Sequence, residues 1–524
     1  MKSKYLTHRF QLVVLLAGII SFLLMSCSDV LEENPDFINT DTFFQDSDDL
    51  VIGVNGVYDN LAEGGRWFNF FYNRFVFEEL VGYQVGWEKG PLDFQTGSVS
   101  TTDIYIEAYW DLSYEAINRA NRVIDAAQKL ENPSDPALRD RVIAEAKFLR
   151  SFYYFNLIRY FDDVAFTIKP TTKLKFASNE NGKRKVLDMM FEDLQSAADV
   201  LPSEYTGSDI GRATKWAAKT LLMKAYLMDE QWEKARLTAE DIIDNSPHFL
   251  FNDFASNFDV EHENTGERIF ESQVSASVDT DEFTNYHAHF VPPDLPTDIG
   301  GVGWHWLNGT KAFRMKYDPD DKRIPGTFIE SYPSTRVDRA TVRWSPDADF
   351  NLSRNGGLVE NTADPNNPDE LIYGKAFVAK WVEVGISSEN NTERNVAYLR
   401  YADVLLGHSE AANESGNGDP YMGINMLRDR AGLSPLSGLT KSELRDAIVE
   451  EFVLEFAFEQ KTYPFLKRVS SHGGNKKDYL GQYINEFINT YDVNRTHVEK
   501  DHVLPLPLDE VQSNPNVEQN PLWQ

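Results

Sequence analysis

Two loop-like stretches of this chain set flat aromatic rings beside amide and guanidinium side chains. Between Arg66 and Trp87 the flat rings are Trp67, Tyr83 and Trp87, and their polar neighbours are Asn73 and Arg74. Between Tyr286 and Asn308 the set is Tyr286, Trp304, Trp306 and Asn308. An aromatic face covers the apolar side of a sugar ring, while amides and a guanidinium bond the hydroxyls at its edge, so this mixture favours binding without catalysis. Trp304 and Trp306 share a face if their run is extended, because alternate strand residues point the same way. Rings of this size more often fill a core, so loop context singles these out: Gly82, Gly86, Gly90 and Pro91 interrupt the first stretch. Trp87, Trp304 and Trp306 lead the set.

Other chemistries are less well supplied. His287-x-His289 would offer two imidazoles on one strand face, but no third ligand accompanies them, so a hydrogen-bonded pair is expected rather than a metal centre. Asp318 to Asp321 lacks the calcium-loop order and its central glycine, and is expected to be a turn. No P-loop, GxSxG or HExxH pattern occurs. With 82 acidic residues some carboxylates always stand at hydrolase spacing, so that signal carries no weight. Neither an enzyme, a metal nor a cofactor is expected.

The elements that must position the rings begin with an address. Lys2, Lys4 and Arg9 precede an apolar run from Leu12 to Met25, then small Ser26, then Cys27, the single cysteine of the 524 residues. The arrangement resembles a lipoprotein signal peptide. Such a signal, residues 1–26, is cut before the cysteine, which becomes the lipidated first residue, and more than one acyl chain anchors a protein stably. The acids that follow, Asp29, Glu32 and Glu33, resemble the signals that send lipoproteins to the outer face of an outer membrane. Residues 27–47 read as a tether reaching roughly 60 Å if extended. A net charge of −31 excludes nucleic acid, which needs a basic stripe. With its one cysteine committed to lipid, the mature chain has no internal disulfide, and no later run is long and apolar enough for a transmembrane helix.

Beyond the tether, helical periodicity dominates 48–250 and 396–524. Helices are expected from Asp48 to Leu61, Tyr105 to Leu130, Leu138 to Tyr160, from about Val396, and from the capping box Thr440 to Glu443 through Phe458, with Pro464 as a kink or stop. Leu222-Met223-Lys224-Ala225-Tyr226, Ala235, Ala239 and Pro247 carry tetratricopeptide spacing, in which small residues let two helices approach and the proline ends the second. Ala411, Gly423 and Pro435 form a weaker copy. Between them, 251–395 changes to short β-like runs, Arg268 to Val274, Thr341 to Trp344 and Ala376 to Val384, separated by Pro, Gly and Asn clusters.

These segments together resemble the SusD/RagB family of outer-membrane nutrient-binding lipoproteins. Glu145-Ala146-Lys147-Phe148-Leu149-Arg150 with Tyr160-Phe161-Asp162-Asp163-Val164 is similar to its "EARFLRA…YFGDVP" segment. Leu399 to Leu406, Glu410-Ala411, Asn413-Glu414, Asn425, Arg428 and Arg430-Ala431-Gly432-Leu433 are similar to its most specific stretch, and Pro505-Leu506-Pro507, Asn514-Pro515 and Gln519-Asn520-Pro521 to its close. Where the family reads "ELAFEGxRxxDL", this chain has Gln460, Thr462 and Phe465 for the Gly, Arg and Asp. The resemblance implies a mainly α fold of tetratricopeptide-like helix pairs with an irregular ligand-binding insert. It also implies a partner, a SusC-like TonB-dependent transporter over which the protein captures a polysaccharide or oligosaccharide. A peptide ligand on the same fold, or a scaffold binding protein alone, are the other readings.

Overall fold

The computed structural model describes residues 43–62, 85–87, 93–171, 177–274, 286–292, 294–304, 306–335, 341–348, 362–364, 367–385, 392–470, 477–491 and 495–524. Asp103 starts the first long helix: its carboxylate accepts the N–H groups of Tyr105 and Ile106 at 2.9 and 3.1 Å. Ile104–Lys129 then turns Tyr109, Trp110, Ala116, Ile117, Ala120, Val123, Ile124 and Ala127 inward, the stripe a 3.6-residue period demands. Pro136–Phe161 begins on an Asp135 cap with proline in the first turn, where a missing N–H costs nothing. Its second half is buried on nearly every side, which places it inside the helical layer. It lies against Ser47–Ala62, Ile104–Lys129 and Gly182–Val200.

Each further helix rests on the one before: Lys215–Met228 on Gly182–Val200, and Trp232–Asn245 on Lys215–Met228. The stack then continues with Tyr401–Ser415, which lies against Trp232–Asn245 and carries Met422–Arg430 and Lys441–Glu455. The tetratricopeptide spacing reads correctly here. Ala235 and Ala239 are fully buried between the 215–228 and 232–245 helices, and Pro247 follows the second. In the weaker copy a Cβ built on Gly423 would lie 2.0 Å from the Leu405 carbonyl oxygen, so only glycine lets these two helices come together.

The insert leaves after Asn245 and returns at Tyr401. Antiparallel strands Arg268–Ser272 and Val396–Arg400 pair at its mouth, with Val396 opposite Ser272 and Arg400 opposite Arg268. Within it, Ser331–Pro333, Thr341–Trp344, Asn367–Tyr373 and Thr362–Asp364 form a sheet in that order, whose central pair is parallel. Val291, Leu295, Tyr332, Val342, Tyr373 and Phe377 make its apolar core. The Asp318–Asp321 run is a turn: Asp321 N–H reaches the Asp318 carbonyl at 2.9 Å, and the Asp321 carboxylate is held by Arg323.

Several boundaries differ from the sequence expectation. Val396–Arg400 is a strand, because pairing to 268–272 overrides helical periodicity there, and the helix starts at Tyr401 on the Asp403 carboxylate, which accepts the Arg400 N–H at 2.9 Å. Of Ala376 to Val384 only Phe377–Val378 is strand, with a bridge at Ala376. The capping box at Thr440 forms, but its helix stops at Glu455 and Phe458 and Gln460 take positive φ of 62° and 58°. Gln460 thus stands in a left-handed position that glycine fills without steric cost, at a penalty of ~1–2 kcal/mol. Pro464 neither kinks nor stops a helix; it occupies the first turn of Thr462–Ser470. Gly182–Val200 is a further helix of the 48–250 stretch.

Buried charge fastens insert to scaffold. Arg323 of the insert reaches Glu451 and Glu455 at 2.6 and 3.3 Å, and Lys380 reaches Glu459 at 2.8 Å. Arg400 holds Glu267, Glu455 and Glu459 at 3.0, 3.1 and 2.8 Å, and Arg430 holds Glu267 and Glu455 at 2.6 Å each. Burial alone would raise the Glu455 carboxyl; the guanidinia of Arg430, Arg400 and Arg323 overcome it and hold the group well below the ordinary range. Among the described residues no helix is long and apolar enough to cross a membrane.

Candidate ligand-binding site

The two aromatic stretches meet. Val85–Trp87 pairs antiparallel with Leu307–Gly309, placing Val85 opposite Gly309, Gly86 opposite Asn308 and Trp87 opposite Leu307. Gly309 extends this ribbon into the insert, exchanging hydrogen bonds with Ala376 at 2.7 and 3.1 Å. A Cβ there would lie 2.6 Å from the Ala376 carbonyl oxygen, so this junction also needs glycine. Leu307 is fully buried and Asn308 buried, which anchors the strand that follows Trp306.

Tyr286–Phe290 is a single helical turn, not the strand expected for His287-x-His289. Its Ala288 carbonyl accepts the Trp304 N–H at 2.6 Å, locking the loop onto the turn. His289 then stands against both indoles. Ring centroids are 5.0 Å apart for His289–Trp304 and 5.3 Å for His289–Trp306, both edge-on. The indoles lie 5.6 Å from each other at 38°. They therefore share a side, although neither lies in a strand, and both are partly exposed while His289 is fully buried.

Electrostatics keep the support under the indoles neutral. Burial pushes the His289 imidazole down to about 3, so it carries no charge at ordinary pH. Burial, and then the Arg394 charge, pushes His287 down to about 4, and its Nδ1 accepts the Glu383 N–H at 2.8 Å. With one nitrogen taken by backbone, His287 is held in place at the foot of this support. Lys375, beside Ala376 at the ribbon junction, is buried and pushed down to about 8 by that burial. Its sequence context gave no hint of this.

Of the residues picked from sequence, Trp304, Trp306 and Asn308 come together around this ribbon, and Trp87 occupies the paired strand, its side chain outside the described residues. Tyr286 opens the supporting turn, its side chain likewise outside them. Trp67, Asn73, Arg74, Tyr83 and Cys27 lie wholly outside the described residues. A separate cavity of about 320 Å³ opens on the scaffold beside Trp110, Asp111, Tyr114 and Glu510. Burial, and then Glu107, Glu510, Asp509 and Glu115, pushes its Asp111 carboxyl up to about 6.

Comparison with known proteins finds relatives along the whole of this fold. A sequence model of the SusD family matches residues 266–523, and one described as starch-binding, associating with outer membrane, matches 29–227. A SusD-like protein, P2, of Formosa agariphila is 27% identical over 530 residues, covering 96% of this chain and 97% of its own. A SusD homolog of Bacteroides thetaiotaomicron superposes with a TM-score of 0.74 at 21% identity, covering 92% of this chain and 98% of its own. A laminarin-binding SusD-like protein superposes with a TM-score of 0.69 at 20% identity, covering 91% and 99%.

Proposed function

Starting from the fact that the chain belongs to the SusD family, a carbohydrate-binding and outer-membrane-associated group, we propose that it is a cell-surface lipoprotein that binds a polysaccharide or oligosaccharide without cleaving it. In this reading it is anchored through Cys27 and passes its ligand to a SusC-like TonB-dependent transporter. The observation that carries the ligand reading is the indole pair. Trp304 and Trp306 sit side by side, partly exposed, on a neutral buried imidazole, just before the strand that pairs with the one bearing Trp87. A sugar ring laid on such a pair loses water from its apolar face against carbon rather than charge, and the hydroxyls at its edge stay free to bond polar neighbours.

The test is a binding panel of soluble starch, laminarin and other polysaccharides, by affinity electrophoresis and calorimetry. Trp304→Ala and Trp306→Ala should each weaken the best ligand by ~10–30-fold, as loss of a central aromatic contact does. Undiminished binding in both moves the site elsewhere. Cys27→Ala should leave that affinity unchanged and lose surface retention, measured by protease accessibility on whole cells. Retained display would refute the lipid anchor.

A further inference from the structure

Far from the indoles in sequence, three side chains converge at the start of the Tyr479–Tyr491 helix. Asp478 precedes that helix and caps it, its Oδ1 accepting the Gly481 N–H at 2.8 Å. His497 Nε2 stands 3.2 Å from Asp478 Oδ2, and His502 Nε2 3.1 Å from Asp478 Oδ1. One ligand-type atom from each residue lies within 4.8 Å of the others. A helix cap needs one carboxylate oxygen and no imidazoles, so capping does not account for the two rings.

The far side of His497 sets its tautomer. Its Nδ1 lies 2.9 Å from Asp501 Oδ2, and that buried carboxylate also takes Arg495 at 2.8 Å and the Val498 N–H at 2.9 Å. With Nδ1 turned to Asp501, His497 Nε2 faces the Asp478 carboxylate. The His502 ring lies beside it, 5.5 Å away between centroids, so two imidazole nitrogens and one carboxylate converge on a single point.

We propose that Asp478, His497 and His502 form a binding site for a borderline divalent cation of the Zn²⁺ class, with Asp501 orienting His497 from behind. Two imidazole nitrogens and one oxygen suit zinc and its neighbours and disfavour calcium or magnesium, which prefer oxygen alone. Adjacent ligands of a tetrahedral zinc, at bond lengths of 2.0–2.1 Å, stand about 3.3 Å apart, close to the nitrogen–oxygen spacings here. The carboxylate–histidine arrangement behind His497 is the usual support of such a ligand. Solvent reaches the site, since the side chains of Asp478, His497 and His502 are 43%, 14% and 25% exposed, so water can complete the shell. Space is kept by Gly481: a Cβ there would lie 2.1 Å from Asp478 Oδ2 and 2.5 Å from His497 Nε2. The bound ion would staple the 495–502 segment to the start of the preceding helix, independently of the glycan reading.

The test uses the full chain with its one thiol alkylated, stripped with EDTA and titrated with Zn²⁺ against a chromophoric competitor, and separately with Co²⁺ for its visible spectrum. One equivalent should bind, with the intense visible bands of low-coordinate Co²⁺. His502→Ala and Asp478→Asn should weaken Zn²⁺ at least ~100-fold, and Asp501→Asn, which removes no ligand, by ~10–100-fold. Gly481→Ala keeps every ligand atom and favours the helix, yet should abolish tight binding, so it serves if the ligand variants fold poorly. Zn²⁺ affinity unchanged in Gly481→Ala and His502→Ala, or a Co²⁺ spectrum no different from the free ion, overturns the site.

Discussion

Replacing His289 by phenylalanine should remove a defined share of this protein's acid sensitivity. The imidazole is fully buried between Trp304 and Trp306 and is held at about 3, against about 6.5 in an unfolded chain. A basic group with a depressed folded value contributes stability that is present above the unfolded value and is lost as pH falls toward the folded one. Below pH 6.5 the unfolded chain binds a proton that the native site refuses, so each pH unit costs about 1.4 kcal/mol. Between pH 7.5 and 4.5 His289 alone should therefore cost about 3 kcal/mol. His287, pushed down to about 4, adds a similar loss, and Asp111, raised to about 6, acts in the opposite sense. Neither enters the difference between wild type and His289→Phe, and the variant's packing error shifts every pH equally. Urea unfolding at pH 7.5, 6.5, 5.5 and 4.5 measures that difference. The two stability curves should converge on acidification by about 3 kcal/mol. Parallel curves would falsify the claim that a neutral, desolvated imidazole supports the indoles.

Two further substitutions probe the scaffold. Arg400→Met should destabilise by ~3–5 kcal/mol, because it leaves the Glu267, Glu455 and Glu459 carboxylates buried with less compensation; urea midpoints within error of wild type would show that the cluster relaxes at no cost. Gly423→Ala forces a Cβ toward the Leu405 carbonyl and should cost ~1–3 kcal/mol despite alanine's better helix propensity, read as a lowered melting temperature.

The helical half was legible because its signals are local. The Thr440–Glu443 box fixes a terminus within four residues, and the stripe on Ile104–Lys129 repeats often enough to be read. Tetratricopeptide spacing at Ala235, Ala239 and Pro247 records a close helix approach in the sizes of a few residues. The ribbon joining Val85–Trp87 to Leu307–Gly309 leaves no such trace, since three-residue strands carry no period and their partner lies more than two hundred residues away. The indoles are legible by ring type and glycine context, whereas the imidazole beneath them reads only as one of a hydrogen-bonded pair, with nothing local to show that it supports rings. Charge leaves the least trace. Nothing local marks Arg323, Arg400, Glu455 and Glu459 as interior, and only tertiary pairing turns them into a buried cluster. His497 and His502 meet Asp478 through a turn and a helix cap, a juxtaposition no spacing rule anticipates.

The ion cluster between insert and scaffold also sets a rule for exchanging ligand specificity between relatives. Its members are divided: Asp321, Arg323 and Lys380 travel with the insert, while Glu451, Glu455 and Glu459 stay with the helices. A graft cut at the paired strands 268–272 and 396–400 would look clean on the backbone, yet a donor insert lacking the counterparts of Arg323 and Lys380 would strand carboxylates in the host. Chimeras should therefore fail or succeed by whether those charges match across the seam, whatever sugar the donated loops were shaped to hold.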